Sequence, residues 1–573
     1  MVVTFVKKQA AIWFIALLPL CDQSYKIMEC YPVTGYFFLF AIIVFCHLYH
    51  ESVLKWKISY IDIGVILLGG YTILRSLWCE TASWGHYFSL LCLAAFYLVG
   101  RFKYGKEKQY TTLLSGIILG GVLQSLIVGL QFFNLLPSFH SYFSYTDSYL
   151  NPAPLGGWLS LGMIANIWLL LYKRPASKQT RVLWFIFLFL QTGIWLVANS
   201  RAAWIAFCIV AVMMLLQKRQ IVVRKRILIL ASFLLLLSLP TYFYKRQSAD
   251  ARFFIWKICI EMIQDAPFFG HGPQGVSHNY MHYQKTYLDD KGNNNERFQA
   301  TDNSLTFNEG IRLCCEYGIC GLFLMGGLLV VVYYKVPLRH PCIFLLTVFL
   351  LFSCFSYPSE LFSLSSLFML ILGSLPQRIV SNPKVVIIKC RHIFALLLLL
   401  LDTFILYILM CIRINYAIGH YYWDKEEETF LKNCYPYFSC EHNFISRYAR
   451  SLHLAGEYEM AVLPLTKLTQ LAPTVEIYCD LGYAYQQLGN VHQAENCYKY
   501  AASMIPNRMT PHYLLFKLYH SLGDKEKTFQ EGEYILQMKI KIPNKEIQVM
   551  KEDVLRILMS DYLQQRTNLL PFP

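Results

Sequence analysis

The sequence predicts an all-α, polytopic membrane protein with one large polar loop and a helical-repeat tail. Three observations carry that reading. Of 573 residues, 56% are hydrophobic and only 15% charged, with a mean hydropathy of +0.39. A soluble chain of this length needs a far more polar surface. The apolar residues also gather into runs of membrane-spanning length, and from about residue 416 the composition turns polar and periodic.

Apolar runs lie near 9–20, 34–49, 58–76, 84–99, 112–133, 155–172, 182–198, 202–217 and 227–242. Further runs lie near 311–334, 341–357, 360–375 and 393–413, which makes about 12–13 spanning helices. The expected divisions are N-terminal spans over 1–242, a polar loop over 243–310, C-terminal spans over 311–415 and a soluble domain over 416–573. Lys7 and Lys8 flank a first run without a cleavage signature, so a retained helix is expected there.

The formal charge of +15 does not indicate nucleic acid, because lysine and arginine sit in short links between apolar runs. Lys55 and Lys57, the set Arg101 to Lys108, Lys173 and Arg174, Lys218 to Arg226, and Arg378 to Arg391 fall in alternate links. That asymmetry marks the cytoplasmic side and places the long loop and the C-terminal domain outside. The eighteen cysteines are scattered without paired metal-binding spacing, as buried small hydrophobes would be. Cys434 and Cys440 fall in the exported segment, where a disulfide could join them.

In the tail, Tyr478, Leu481, Gly482, Tyr485, Gly489, Ala494, Tyr498, Ala501 and Pro506 stand at the spacing of a tetratricopeptide repeat. Gly456, Ala461, Leu465 and Pro473 repeat the pattern 33 residues earlier, and Leu515, Tyr519 and Gly523 follow it. Small residues at helix crossings let stacked pairs bury a shared core, and such arrays offer surfaces for partners.

The chemistry-bearing residues lie in three places predicted to face outward. The aromatic link from Phe133 to Gly157 ends in Asn151-Pro152 before a helix. Arg201 follows Ser200 at the start of another helix, where a guanidinium must snorkel, pair or meet an anion. Its donor fork suits phosphate or diphosphate. The long loop carries Arg252 and Trp256 one turn apart, then Lys257 and Glu261 at i, i+4 spacing, and a GHGPQG turn containing His271. His278, His282, Tyr283, Gln284 and Tyr287 follow, and Asp302, Asn303, Asn308 and Glu309 lead into the next helix. The turn lacks a P-loop ending, and no HExxH glutamate lies between the histidines. Neither a nucleotide, a metal nor another cofactor is therefore expected.

These residues resemble the O-antigen ligase and polymerase superfamily of bacterial envelope glycosyltransferases, best over about residues 140–335. The matching elements are Asn151-Pro152, Ser200-Arg201, Arg252 with Trp256, the Pro267 to Gly270 turn, and Asn308 followed by Gly318 and Gly321. Tyr280 to Gln284 and the C-terminal repeats are similar to the Bacteroidetes form. One departure stands out: the family's usual histidine falls on Phe307.

The resemblance implies a GT-C-like bundle in the bacterial inner membrane, with the loop and repeat domain periplasmic. It implies inverting transfer of a glycan from undecaprenyl pyrophosphate to a lipid or protein acceptor, with the donor entering from membrane lipid. Arg201 and Arg252 would meet the leaving diphosphate, and Glu309, then Asp302, then His278 or His282, would serve as base. Asn151, Trp256, His282, Tyr283, Gln284, Asn303 and Asn308 would line the substrate. The repeats would hold a protein partner. A repeat-unit polymerase of the same superfamily, a transporter and a non-catalytic repeat scaffold are the competing readings.

Overall fold

The computed structural model describes residues 11–22, 53–79, 82–104, 110–138, 151–173, 177–221, 246–375, 385–389, 409–419, 425–541 and 544–568, with isolated positions between them. The helices of the first half are α1 Tyr60–Trp78, α2 Trp84–Val99, α3 Tyr110–Phe132, α4 Pro152–Trp168, α5 Lys178–Val197 and α6 Arg201–Lys218. The loop holds α7 Arg246–Asp265, α8 Gly275–Asp290 and α9 Asn294–Gln299, followed by α10 Glu309–Lys335, α11 Pro341–Ser353 and α12 Phe362–Gly373. The tail holds α13 Lys425–Phe438, α14 His442–Ala455, α15 Tyr458–Leu471, α16 Val475–Gln487, α17 Val491–Met504, α18 Met509–Ser521, α19 Lys525–Gln537 and α20 Lys545–Asn568.

The fold is thus all-α, and among the described residues seven helices are long and apolar enough to cross a membrane. The expected runs at 341–357 and 360–375 form the shorter apolar helices α11 and α12. The run at 34–49, and most of those at 227–242 and 393–413, lie outside the described residues. One feature was not anticipated. The links Val53–Lys57 (β1) and Val385–Lys389 (β2) pair antiparallel, with Val53 opposite Lys389.

The chain divides into two compact units, the first combining residues 1–78, 84–249 and 306–415. Its axis is α4, which packs against α3, α5, α6 and α11 and buries Leu155, Trp158, Leu159, Met163 and Ile164. Lipid tails give apolar helices no reason to associate, so close packing and polar contacts carry the specificity. Both occur here. Gln191 of α5, fully buried, donates from Nε2 to the Ile118 carbonyl at 2.8 Å, and Trp195 Nε1 donates to Ser160 Oγ at 3.0 Å. A second polar lock gathers on Asp62 of α1, which is completely buried. Its carboxylate accepts from Tyr97 Oη at 2.6 Å, Ser59 N at 2.7 Å, Ser59 Oγ at 2.8 Å and Arg101 Nε at 3.3 Å.

The second unit combines residues 79–83, 250–305 and 416–573, so the long loop and the tail fold together. The tail helices pack in succession, α14 on α15 through to α19 on α20. Gly456, Gly489 and Gly523 end α14, α16 and α18 with φ of 78°, 77° and 72°, the left-handed geometry that favours glycine at helix ends. Ala494, Tyr498, Leu515 and Tyr519 are buried together between successive helices, and Gly482 lies under the Tyr498 ring. Cys434 and Cys440 are not joined in a disulfide in this structure.

Candidate functional site

In the first unit, two of the helix starts picked out from sequence, those of α4 and α10, are set by asparagine caps. Asn151 is extended, and its Oδ1 accepts from Ala153 N at 2.9 Å, which satisfies one of the donors a helix start leaves open. Pro152 fits the first helical position, where a missing N–H costs nothing. With Oδ1 so engaged, Nδ2 points to the Tyr357 hydroxyl and donates to it at 2.7 Å.

The start of α6 lies beside that of α4. A Cβ on Gly156 would come within 2.7 Å of Ser200 Cβ and 3.1 Å of Ala203 Cβ, so glycine is what permits the crossing. Ser200 Oγ reaches the Ala153 carbonyl at 3.4 Å. Arg201, the next residue, opens α6 at this crossing.

The start of α10 completes the group. Phe307 has a φ of 52°, a strained conformation for a bulky residue, and its ring meets Tyr357 edge-on at 5.4 Å. Asn308 caps α10 through Ile311 N at 3.0 Å and donates to the Cys354 carbonyl at 3.0 Å. Glu309 accepts from Ser359 N at 3.0 Å, from Ser359 Oγ, and from Arg312 Nε at 2.9 Å. Arg312 also bridges to Glu316 at 2.9 Å and Glu360 at 3.2 Å. The bonds from Ser359 and Arg312 occupy three of the roughly four acceptor positions of Glu309.

Gly318 explains the Gly-x-x-Gly element. Its φ of 64° and ψ of −169° break α10, and Tyr71 Oη donates to the adjacent Tyr317 carbonyl at 2.7 Å. That backbone region is open essentially to glycine alone. Gly318→Ala is expected to cost about 1–3 kcal/mol, read as a lower melting temperature of the purified protein. An unchanged melt would show that the kink is not required.

The loop residues are placed by the second unit. Arg252 and Trp256 stand on α7, where Trp256 packs edge-on against Phe253 at 5.4 Å. The expected Lys257–Glu261 pair does not form. Lys257 instead binds the nearly buried Glu296 at 2.6 Å, and Glu261 binds Lys291 at 2.9 Å, since the turn into α9 brings these closer partners.

One side of α8 faces the tail helices α15 and α17. His282 has both ring nitrogens engaged, with Tyr500 Oη at 2.6 Å and the Thr469 carbonyl at 3.1 Å. Gln284 donates to the Met504 carbonyl at 3.0 Å. Tyr283 is bonded to Asp265, and Asn303 Nδ2 donates to the Leu305 carbonyl at 2.8 Å. Asp302 accepts from Val475 N at 3.2 Å and pairs with Arg508. These polar atoms hold the second unit together, and of the four base candidates Glu309 alone stands in the first-unit cluster.

His278 is buried in the same interface. Burial first, then nearby His442 and Lys467, lower its pKa to about 4. An unfolded histidine binds a proton below about 6.5, whereas folded His278 stays neutral down to about 4. Its effect is nil above that window, and stability is lost as the pH falls through it, by up to about 3 kcal/mol. The melting temperature of the wild type should therefore drop more between pH 7 and pH 5 than that of His278→Gln. Parallel curves would refute this role.

Sequence reasoning missed Tyr357, Ser359, Glu360 and Arg312. A Tyr-Pro-Ser-Glu link between two apolar runs, and Arg312 at i+3 from Glu309 and i−4 from Glu316, were the available signals. Among the described residues no group of His, Cys, Asp or Glu is arranged to hold a metal ion.

Against this geometry, the family model described as O-antigen ligase matches residues 186–326. The match takes in Arg201, the loop with Arg252, Glu309 and Gly318, and stops short of Asn151 and Tyr357. No curated protein matches the chain.

Proposed function

We propose, from the premise that the chain is an O-antigen-ligase-like membrane protein, that it transfers a glycan from undecaprenyl pyrophosphate to a lipid or protein acceptor outside the inner membrane. The observation that carries this reading is the cluster at the starts of α4, α6 and α10. It sets an arginine at one end and a carboxylate at the other, within and beside the matched segment.

The acceptor oxygen bonds to the anomeric carbon while the carbon–oxygen bond to diphosphate breaks, and the electron pair leaves on the phosphate oxygen. Arg201 meets the charge that develops there. The acceptor proton passes to Glu309, which keeps one acceptor position beyond the bonds from Ser359 and Arg312. Direct displacement inverts the anomeric centre. The resemblance implies an anion-binding role for Arg252, and for Asn151 and Asn308 a place along the substrate. Trp256 and Tyr283 are the loop aromatics assigned to the glycan.

The tail is read as a tetratricopeptide-type array that docks a protein acceptor or an assembly partner, supported by its glycine-ended helices and shared core. The testing experiment incubates the purified full-length protein with undecaprenyl-diphosphate-linked glycan and candidate acceptors, following products by mass. Product formation with inverted stereochemistry supports the reading. Absence of product with lipid, protein and glycan acceptors alike refutes it.

A further inference from the structure

We propose that Arg312 is a positioning residue for glycan transfer: with Ser359 it holds Glu309 so that Oε1 is the oxygen that takes the acceptor's proton. The inference rests on the transfer reading above and gives a role to a residue that reading leaves idle.

Arg312 stands one turn inside α10, at i+3 from Glu309 and i−4 from Glu316, so the three side chains share a helix face. Glu360 reaches the same guanidinium from the link before α12, at 3.2 Å. Three carboxylates thus share one cation, and the group as a whole is anionic. A departing diphosphate would be repelled there, so Arg312 does not repeat the part given to Arg201. Its donors are spent on carboxylates instead: Nε on Glu309 Oε2 and Nη1 on Glu316 Oε2, each at 2.9 Å, with Nη1 also on Glu360.

The two oxygens of Glu309 are engaged unequally. Oε2 accepts twice, from Arg312 Nε and from Ser359 Oγ, whereas Oε1 accepts once, from Ser359 N at 3.0 Å. A carboxylate oxygen has about two lone-pair sites, so the position left for an acceptor hydroxyl lies on Oε1. The charge-assisted bond from Arg312 fixes the carboxylate plane, and with it the direction in which Oε1 offers that site. The acceptor's O–H proton then moves to Oε1 as its oxygen bonds to the anomeric carbon, and the electron pair of the broken carbon–oxygen bond leaves on the diphosphate. A base acts only when held within hydrogen-bond reach of the proton it takes, which is what this anchoring supplies.

The test compares two nucleophiles on the full-length protein in nanodiscs. Undecaprenyl-diphosphate-linked glycan is supplied with the acceptor the wild type uses or with azide, and glycan products are followed by mass. Azide bonds to the anomeric carbon through nitrogen and carries no proton, so it needs no base. Removing Arg312 alone would take a charged partner from the buried Glu316, so the working variant is Arg312→Gln with Glu316→Gln. In it, transfer to the hydroxyl acceptor should fall about 100-fold, and the ratio of azide product to hydroxyl product should rise about tenfold or more. Glu309→Gln should shift the ratio the same way, and Arg201→Ala should lower both products together, because they share a leaving group. An unchanged or lower ratio in the double variant overturns the inference, and the transfer reading then stands on the Arg201→Ala result. A raised ratio in the double variant without one in Glu309→Gln also overturns it, because Arg312 would not be acting through Glu309. If the wild type transfers glycan to no acceptor, the transfer reading fails first.

Discussion

Arg201→Ala is expected to lower the turnover of glycan transfer by about 100-fold to 1,000-fold, the usual loss when one preorganised donor to a developing oxyanion is removed. The reason is positional. Arg201 opens α6, and the tight Gly156–Ser200 crossing fixes that opening against α4. A charge held in place before the reaction needs no reorganisation as the diphosphate departs. Arg201→Lys should fall between the two, because it retains the charge and loses the planar fork that grips two phosphate oxygens. The measurement is the single-turnover rate at saturating donor, with folding checked by melting. Wild-type turnover in Arg201→Ala would remove the arginine from the mechanism.

The largest loss of stability is expected at Asp62. Its carboxylate, with no exposed surface, gathers Tyr97, Ser59, Trp56 and Arg101, and Arg101 also donates to the Lys57 carbonyl at 2.9 Å. Removing one member of a buried ion pair strands the other charge, at a cost of about 3–5 kcal/mol. Asp62→Ala should therefore melt far below wild type in detergent. The pair variant Asp62→Leu with Arg101→Met should recover much of the loss, since an apolar pair of similar volume leaves no charge uncompensated. A double variant as unstable as the single one would show that the hydroxyl and indole donors, and not the arginine, set the penalty.

What could be read from sequence was local. Asn151-Pro152 and Asn308-Glu309 were legible as helix starts because capping is decided within a few residues, and Ser200-Arg201 because it opens an apolar run. Gly318 was legible as a motif, and its φ supplies the reason. The partners of these starts were not legible. Tyr357 lies 206 residues from Asn151, and Ser359 lies 50 from Glu309, distances over which no periodicity speaks. For the same reason the loop polar groups read as a substrate surface, when His282, Gln284 and Asp302 find their hydrogen-bond partners among tail residues more than 170 positions away. The β1–β2 pairing joins Val53 to Lys389, 336 residues apart, and although Val385 to Ile388 is a β-branched run, nothing local names its partner.

The embrace of α8 by the tail bears on how shortened versions of this protein should be interpreted. Tyr280, Met281 and Leu288 have almost no solvent exposure, and His278 and Gln284 are buried beside them. A chain cut before residue 416 would take Tyr500 and the Thr469 carbonyl from His282 and the Met504 carbonyl from buried Gln284, at about 1–3 kcal/mol for each buried polar group left unsatisfied. Inactivity of such a fragment would then report a disrupted loop and would say nothing about a partner of the tail. Point changes on the exposed surfaces of α14 to α19 are the cleaner way to ask whether the array holds a partner at all.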